Sequence, residues 1–108
     1  MIILRDKEQK LIDEVLQEFN FGKCKLTMEY LNWTWARTNS VPSIADLKES
    51  ALNRIYSAID VIRTRKNISY QHPSTCSSGG LEATVYVNKY GHITYVGLKF
   101  VLTQWENY

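Results

Sequence analysis

A long stripe of apolar residues at helical spacing, in the middle of the chain, constrains the fold most. Its members are Ile44, Leu47, Ala51, Ile55, Ala58, Ile59 and Ile62. Such spacing places every member on one face of an α-helix. Ser43 precedes the stripe and Asp46 follows it by three residues, a pattern that resembles a capping box. We predict that the helix ends near Arg65 and buries its apolar face against a second layer.

A weaker pair of helices is predicted ahead of it. From about Asp6 to Phe19, helical spacing collects the apolar residues Leu11, Ile12, Val15, Leu16 and Phe19. We expect the opposite face to be solvated; its charged residues are Lys7, Glu8, Lys10, Asp13, Glu14 and Glu18. Asn20 is then a predicted cap, and residues 21–31 favour a second short helix unless Gly22 breaks it.

The C-terminal part of the chain changes to the two-residue period of strands. Leu81 to Val87 alternates between apolar and polar residues, and residues 88–91 form a predicted hairpin turn in which Gly91 takes a positive φ. Residues 92–105 are the predicted returning strand, and the segment 33–35 is a candidate third strand. We therefore predict an α+β fold, with N-terminal helices and one long central helix packed on a small antiparallel sheet dominated by a C-terminal β-hairpin.

Length and composition exclude several classes of protein. The 108 residues fit one domain, 1–108, and an apolar content of 44% with a net charge of only +2 argues against disorder. No apolar run approaches the length of a membrane span, and charged residues interrupt the N-terminus as early as Arg5, unlike in a signal peptide. We expect a cytosolic protein, in its own cell or in a host.

The residues offer little for catalysis or metal binding. The soft metal ligands are Cys24, His72, Cys76 and His92, and their spacing matches no zinc motif. Two cysteines favour reduced thiols over a disulfide scaffold. No pair of acids stands out for proton transfer, and no phosphate-binding loop or dinucleotide fingerprint is present. We therefore predict no enzyme activity, no metal and no cofactor.

Two tryptophans and an arginine are candidates for ligand binding. If the segment is extended, alternation places Trp33 and Trp35 on one side, where an exposed ring would stack on a nucleobase. Arg37 follows on the same side and would pair with a phosphate. The alternative is that one or both indoles belong to the core.

A second candidate is the stretch Ser77, Ser78, Gly79 and Gly80. Its glycines would bring backbone N–H groups close to a phosphate or to base edges, although the residues alone favour a flexible entry to the strand or a bulge. Tyr86 and Tyr95 add aromatic surface on the hairpin. The basic cluster Arg63, Arg65 and Lys66 is either a solvated helix end or an anion site.

These segments, taken in order, resemble a widespread family of short bacteriophage proteins. The pattern reads L-N-W-x-W, V-P-[ST], a long helix, [ST]-[ST]-G-G-[FL]-x-[AV] and L-x-[FL]-V-x-x-x-W, and it spans about residues 20–105. The resemblance leaves residues 1–19 as an extra N-terminal helix. That helix either pairs across subunits through Leu11, Val15 and Phe19 or packs on its own domain.

Family members are similar to phage counter-defence sponge proteins, which bind a cyclic oligonucleotide or another nucleotide alarm signal and withhold it from host effectors. The resemblance implies a small nucleotide ligand, a homo-oligomer and action in the host cytoplasm. The expected ligand-binding residues are Trp33, Trp35, Arg37, Ser77, Ser78, Gly79, Gly80 and Tyr86. A protein–protein inhibitor of a host defence enzyme is the alternative function, and a single-stranded nucleic-acid binder is a weaker one.

Overall fold

The computed structural model describes residues 3–31, 43–64, 73–78 and 80–100. The helices are α1 (Asp6–Glu18), α2 (Phe21–Leu31) and α3 (Ile44–Thr64), and the strands are β1 (Ser74–Ser78), β2 (Leu81–Val87) and β3 (Ile93–Phe100). The strands form one antiparallel sheet in the order β1-β2-β3. Helix α3 packs across β1 and β2, while α1 packs on β3. The predicted α+β architecture is confirmed.

The start and the buried face of α3 follow the sequence pattern. The Ser43 N–H donates to Asp46 Oδ2 and the Asp46 N–H donates to Ser43 Oγ, both at 3.1 Å, which completes the capping box. The stripe members from Leu47 to Ile62 are all buried, whereas Ile44 in the first turn is 43% exposed. The two layers meet along this stripe, where α3 residues pack with Ala83 and Val85 of β2.

The helices before α3 also lie where the pattern predicts them. The Asn20 side chain accepts a hydrogen bond from the Lys23 N–H at 2.9 Å, which caps α2, and the helix continues through Gly22. In α1, Ile12 is completely buried in the same core cluster as the α3 stripe. Helix α1 thus packs on its own domain, and pairing across subunits stays a prediction.

The β2–β3 hairpin has the predicted turn. Gly91 has a φ of 78°, and its N–H donates to the Asn88 carbonyl at 2.9 Å. The Asn88 side chain accepts from the N–H groups of Tyr90 and His92, both at 3.0 Å, and this holds the turn closed.

A β-bulge in β3 was not predicted. Tyr86 pairs with Tyr95 and Val87 pairs with Ile93, so Thr94 has no partner across the strands. The extra residue changes which alternate positions face the core. Ile93 and Val96 are therefore both buried, although they are three residues apart.

The described residues include one strand, β1, that the sequence did not predict. Residues 33–35 lie outside the described part of the chain, and the additional strand is β1, which pairs with β2 from Ser74↔Val85 to Ser78↔Leu81. Ser77 and Ser78 thus belong to β1 and not to a flexible entry to the strand. Residues 79 and 80 link β1 to β2, and Gly80 has a φ of 88°, a conformation that favours glycine.

Glu8 contradicts its assignment to the solvated face of α1, because its side chain is only 1% exposed. Its Oε2 accepts from Arg63 Nη2 at 2.8 Å and from the Ile93 N–H at 2.7 Å, while its Oε1 accepts from the Arg5 N–H at 2.9 Å. A buried carboxylate is tolerated when it is paired and hydrogen-bonded in this way. Glu8 therefore joins α1, α3 and the start of β3.

The hydrogen bonds and the ion pair decide the protonation of Glu8. Burial alone raises the pKa of this carboxyl. The N–H groups of Ile93 and Arg5 and the charge of Arg63 outweigh it, so the pKa lies below its ordinary value of 4.5. Glu8 is therefore ionised at neutral pH.

Replacing Ser43 by alanine should remove the side-chain half of the α3 capping box. We expect a loss of about 1 kcal/mol in the free energy of unfolding, measured by urea denaturation. The matched control is Ser57→Ala, at an exposed position inside the same helix, which should leave stability unchanged or raise it slightly because alanine is the better helix former. Equal effects of the two variants would contradict the capping role.

Replacing Glu8 by glutamine should leave Arg63 without its buried counter-charge. At pH 7 the variant should be less stable by about 3 kcal/mol, the scale of a broken buried pair. A carboxylate whose folded pKa is lowered contributes stability above its unfolded pKa and loses it as the pH falls through the folded pKa. The difference between the two proteins should thus shrink below about pH 4.5.

Unfolding curves across pH 2 to 7, roughly the range in which carboxyl groups titrate, measure both effects. Asp13→Asn on the exposed part of α1 is the control and should change stability by less than about 0.5 kcal/mol. A constant difference between wild type and Glu8→Gln at every pH would contradict an ionised Glu8.

Candidate functional site

The two faces of the sheet differ in character, because alternate residues of each strand point to opposite sides. One face packs on the helices. The other carries residues that pair across β2 and β3, and we call this surface the open face: Glu82, Thr84, Tyr86, Tyr95, Gly97 and Lys99. Exposed aromatic side chains grouped on one face mark a candidate surface for ligand binding.

Tyr86 and Tyr95 form an aromatic pair on the open face. They lie opposite each other in the register, with ring centroids 5.5 Å apart and an interplanar angle of 85°. This edge-to-face geometry fixes the two rings against each other. Their exposed fractions are 39% and 52%, so both rings keep surface that a second aromatic group can contact.

Gly97 makes room for the Tyr95 ring. A Cβ atom built at Gly97 would lie 2.8 Å from Tyr95 Cε1 and Cζ and closer still to the hydroxyl oxygen. The ring therefore leans along the strand over the glycine. Thr84 lies opposite Gly97 in the register. Beside the aromatic pair, the same residues line a shallow depression of about 330 Å³.

Two opposite charges border this depression. Glu82 pairs with Lys99 in the strand register, and both side chains line the depression. Within the described part of the chain, the ion pairs join other residues and leave Glu82 and Lys99 without one. The Lys99 ammonium offers donors for an anion, and the Glu82 carboxylate offers acceptors for N–H or O–H groups.

The residues expected to bind a ligand are only partly placed. Trp33, Trp35, Arg37 and Gly79 lie outside the described residues. Gly80 is buried in the β1–β2 turn, and Tyr86 lies on the open face. That turn and Tyr86 are near opposite ends of β2, and Gly80 and Tyr86 lie roughly 20 Å apart at the usual strand rise. The structure therefore does not bring them into one site.

Glu82, Gly97 and Lys99 were missed as candidate site residues, and Tyr95 was noted only as aromatic surface. Strand alternation places Tyr95 and Lys99 on one side of the returning strand. The register that brings Tyr95 opposite Tyr86 depends on the bulge at Thr94, which no pattern in the sequence indicates. No sequence pattern indicates a role for Gly97, because that role depends on the Tyr95 ring, which lies over the glycine only in the folded structure.

Arg63 is neither a solvated helix end nor a free anion site. Its guanidinium donates to Glu8 Oε2, to the Ile3 carbonyl at 2.6 Å and to the Gly91 carbonyl at 3.4 Å. The anionic group that Arg63 binds is thus the Glu8 carboxylate of the same chain. Arg65 and Lys66, the other members of the predicted basic cluster, lie outside the described residues.

The sulfur and metal chemistry of the described residues is limited. Cys24 and Cys76 are free thiols, and burial raises the pKa of Cys24, which keeps that thiol protonated. No group of three His, Cys, Asp or Glu residues in the described segments is arranged to hold a metal ion. The described helices include none long and apolar enough to cross a membrane.

No family model, curated protein or solved structure matches this chain. The open face is the strongest candidate, because it combines two exposed aromatic rings with an acceptor and a cation in one depression.

Replacing Gly97 by alanine should displace the Tyr95 ring, since the new Cβ would overlap it. The protein should stay folded because the position is on the open face. We expect the ring-to-ring nuclear Overhauser effects between Tyr86 and Tyr95 to weaken or vanish.

The matched control is Gly22→Ala in α2, where the nearest heavy atom would be at an ordinary 3.5 Å. It should leave these contacts intact and stabilise the protein by roughly 0.5–1 kcal/mol. Unchanged Tyr86–Tyr95 contacts in Gly97→Ala would show that the glycine does not position the pair.

Proposed function

We propose that this protein binds a nucleotide on its open face and sequesters it without cleaving it. The exposed Tyr86–Tyr95 pair beside Lys99 is the observation that carries the proposal. The resemblance to phage sponge proteins supplies the biological setting: a phage protein that withholds a nucleotide alarm signal from host defence enzymes.

The aromatic pair supports binding of a nucleobase. Every base has a flat π surface, and stacking on an aromatic side chain contributes about 1–3 kcal/mol per base. Antiparallel sheets that present exposed aromatic rings bind splayed bases in this manner. Because Tyr86 holds Tyr95 edge to face and Gly97 leaves space beneath it, the Tyr95 ring is fixed before a ligand arrives. Such preorganisation reduces the entropic cost of binding.

The two charged side chains of the open face offer partners for the polar groups of a nucleotide. Lys99 suits a phosphate, since its ammonium is a mobile cation at the border of the depression. Glu82, across from it, suits a base amino group or a ribose hydroxyl, because an ionised carboxylate only accepts hydrogen bonds. A base stacked on Tyr95 would therefore have a partner for its sugar–phosphate part within the same surface.

Sequestration requires tight, stoichiometric binding, because it acts only by lowering the concentration of free ligand. A single shallow surface achieves such tight binding best when further protein groups also contact the ligand. We therefore propose that Trp33, Trp35 and Arg37 form a second stacking and phosphate-binding segment and that a homo-oligomer encloses the ligand.

Calorimetry with a panel of cyclic dinucleotides, cyclic trinucleotides and mononucleotides tests the binding. We expect at least one member to bind stoichiometrically and to be recovered intact after heat denaturation of the complex. A folded protein that binds no member would overturn the proposal. Affinity that falls steeply with salt and rises with oligonucleotide length would instead indicate a single-stranded nucleic-acid binder.

Replacing Tyr95 or Tyr86 by alanine should weaken ligand binding by roughly 5- to 150-fold, the equivalent of losing one stacked base. The matched control is Tyr90→Ala. Tyr90 lies in the turn of the same hairpin and is 70% exposed, but it is not part of the open face. Calorimetric titration and melting temperature of each variant separate loss of the site from loss of the fold. Equal weakening by Tyr90→Ala would show that the open face is not the site.

A further inference from the structure

The outer edge of β3 carries a second candidate surface. In the described part of the chain, β3 pairs with β2 on one side and with no strand on the other. A strand edge presents alternate N–H and C=O groups that a further strand can pair with. Helix α1 runs beside this edge, and the two elements enclose a groove of about 350 Å³.

We infer that this groove binds an extended, basic peptide segment of a partner protein, which adds to the sheet as a fourth strand alongside β3. We call it the edge groove; its β3 wall consists of residues 94–98 and its α1 wall includes Leu11, Glu14, Val15 and Glu18. Strand addition of this kind takes its affinity from main-chain hydrogen bonds and its specificity from the side chains that alternate along the peptide.

Two of the usual protections against strand addition are absent from residues 94–98 of this edge. Proteins block exposed edges with prolines, charged residues or a covering element. Residues 94–98 contain neither a proline nor a charged residue. The bulge at Thr94 lies at one end of this stretch, so the ladder from Tyr95 to Leu98 is regular and long enough for a short peptide.

The α1 wall decides the charge of the partner. Glu14 and Glu18 are exposed and one helical turn apart, so both carboxylates face the same groove. Lys10 approaches Glu14 only at 4.0 Å, with both side chains exposed, and such pairs contribute little. A peptide with lysine or arginine at alternate positions would place its cations beside these two carboxylates.

The same charges argue against a second copy of this chain at the edge. Two-fold pairing of β3 with its own copy would bring Glu14 and Glu18 of both subunits to the same border. Four like charges along one seam oppose association. A basic segment of another protein is thus the better occupant, and it differs in chemistry from the nucleotide proposed for the open face.

The test uses the full chain and a fluorescein-labelled peptide, acetyl-Thr-Lys-Val-Lys-Val-Lys-Thr-amide, in anisotropy titrations at fixed low ionic strength. We expect saturable binding, with at least tenfold weaker binding of the same peptide carrying glutamate in place of lysine. Methylating every internal backbone nitrogen removes the peptide's N–H donors while keeping its charge. That peptide should also bind at least tenfold more weakly.

Charge reversal in the protein supplies the second arm. The double variant Glu14→Lys and Glu18→Lys should lose at least tenfold in affinity for the lysine peptide and should prefer the glutamate peptide. The control Asp6→Lys with Asp13→Lys changes the net charge equally on α1 residues that do not line the groove, and should alter affinity by less than threefold.

Three outcomes would overturn the inference. The first is that the N-methylated peptide binds as tightly as the unmodified lysine peptide. The second is that the two charge-reversed double variants change the affinity equally. The third is that sedimentation shows a dimer and the protein binds no peptide. Tyr86→Ala serves to keep the two proposals apart, because Tyr86 does not line the edge groove. It should reduce nucleotide binding and leave peptide binding unchanged.

Discussion

The contact between the Glu8 carboxylate and the Arg63 guanidinium is the constraint on which the rest of the structure depends. It joins residues 55 positions apart at 2.8 Å, and the same carboxylate oxygen holds the first N–H of β3. Arg63 also reaches the carbonyl of Gly91 in the hairpin turn. One buried carboxylate thus sets α1, the end of α3 and the β2–β3 hairpin relative to one another. Both candidate surfaces lie on that hairpin or at its border with α1.

The sheet then divides the molecule into a structural side and an exposed side. Ala83, Val85 and Val96 on one face pack with the α3 stripe, and this accounts for the apolar half of the strand alternation. The other half lies outside the buried core clusters of the described residues, so the aromatic pair and the charges at Glu82 and Lys99 are not part of that core. Exposed rings that are held in fixed positions are typical of recognition surfaces.

The local parts of the fold could be predicted from the sequence. The α3 stripe, the Ser43–Asp46 box and the turn at Gly91 each depend on residues within a few positions of one another, and each is confirmed. β1 was missed because its sequence, Ser-Thr-Cys-Ser-Ser, has no apolar alternation. It forms a strand through pairing with β2, a tertiary effect that propensity does not carry.

The burial of Glu8 and the pairing of Tyr86 with Tyr95 were not predicted, for a related reason. A glutamate in the first turn of an amphipathic helix has the pattern of a solvated residue, and only the three-dimensional approach of Arg63 makes it a buried one. Tyr95 opposes Tyr86 only after the bulge at Thr94 shifts the register. The burial of Glu8 and the Tyr86–Tyr95 pairing therefore depend on interactions between residues far apart in sequence, which the local pattern does not indicate.

The most direct test of nucleotide binding on the open face is a nuclear magnetic resonance titration of the isotopically labelled protein with the cyclic dinucleotide panel. We expect a binding ligand to shift the amide resonances of Glu82, Thr84, Gly97 and Lys99 and the ring resonances of Tyr86 and Tyr95. Amides of the α3 stripe should stay in place. Shifts confined to the helices, or none with any ligand while the spectrum remains that of a folded protein, would contradict it.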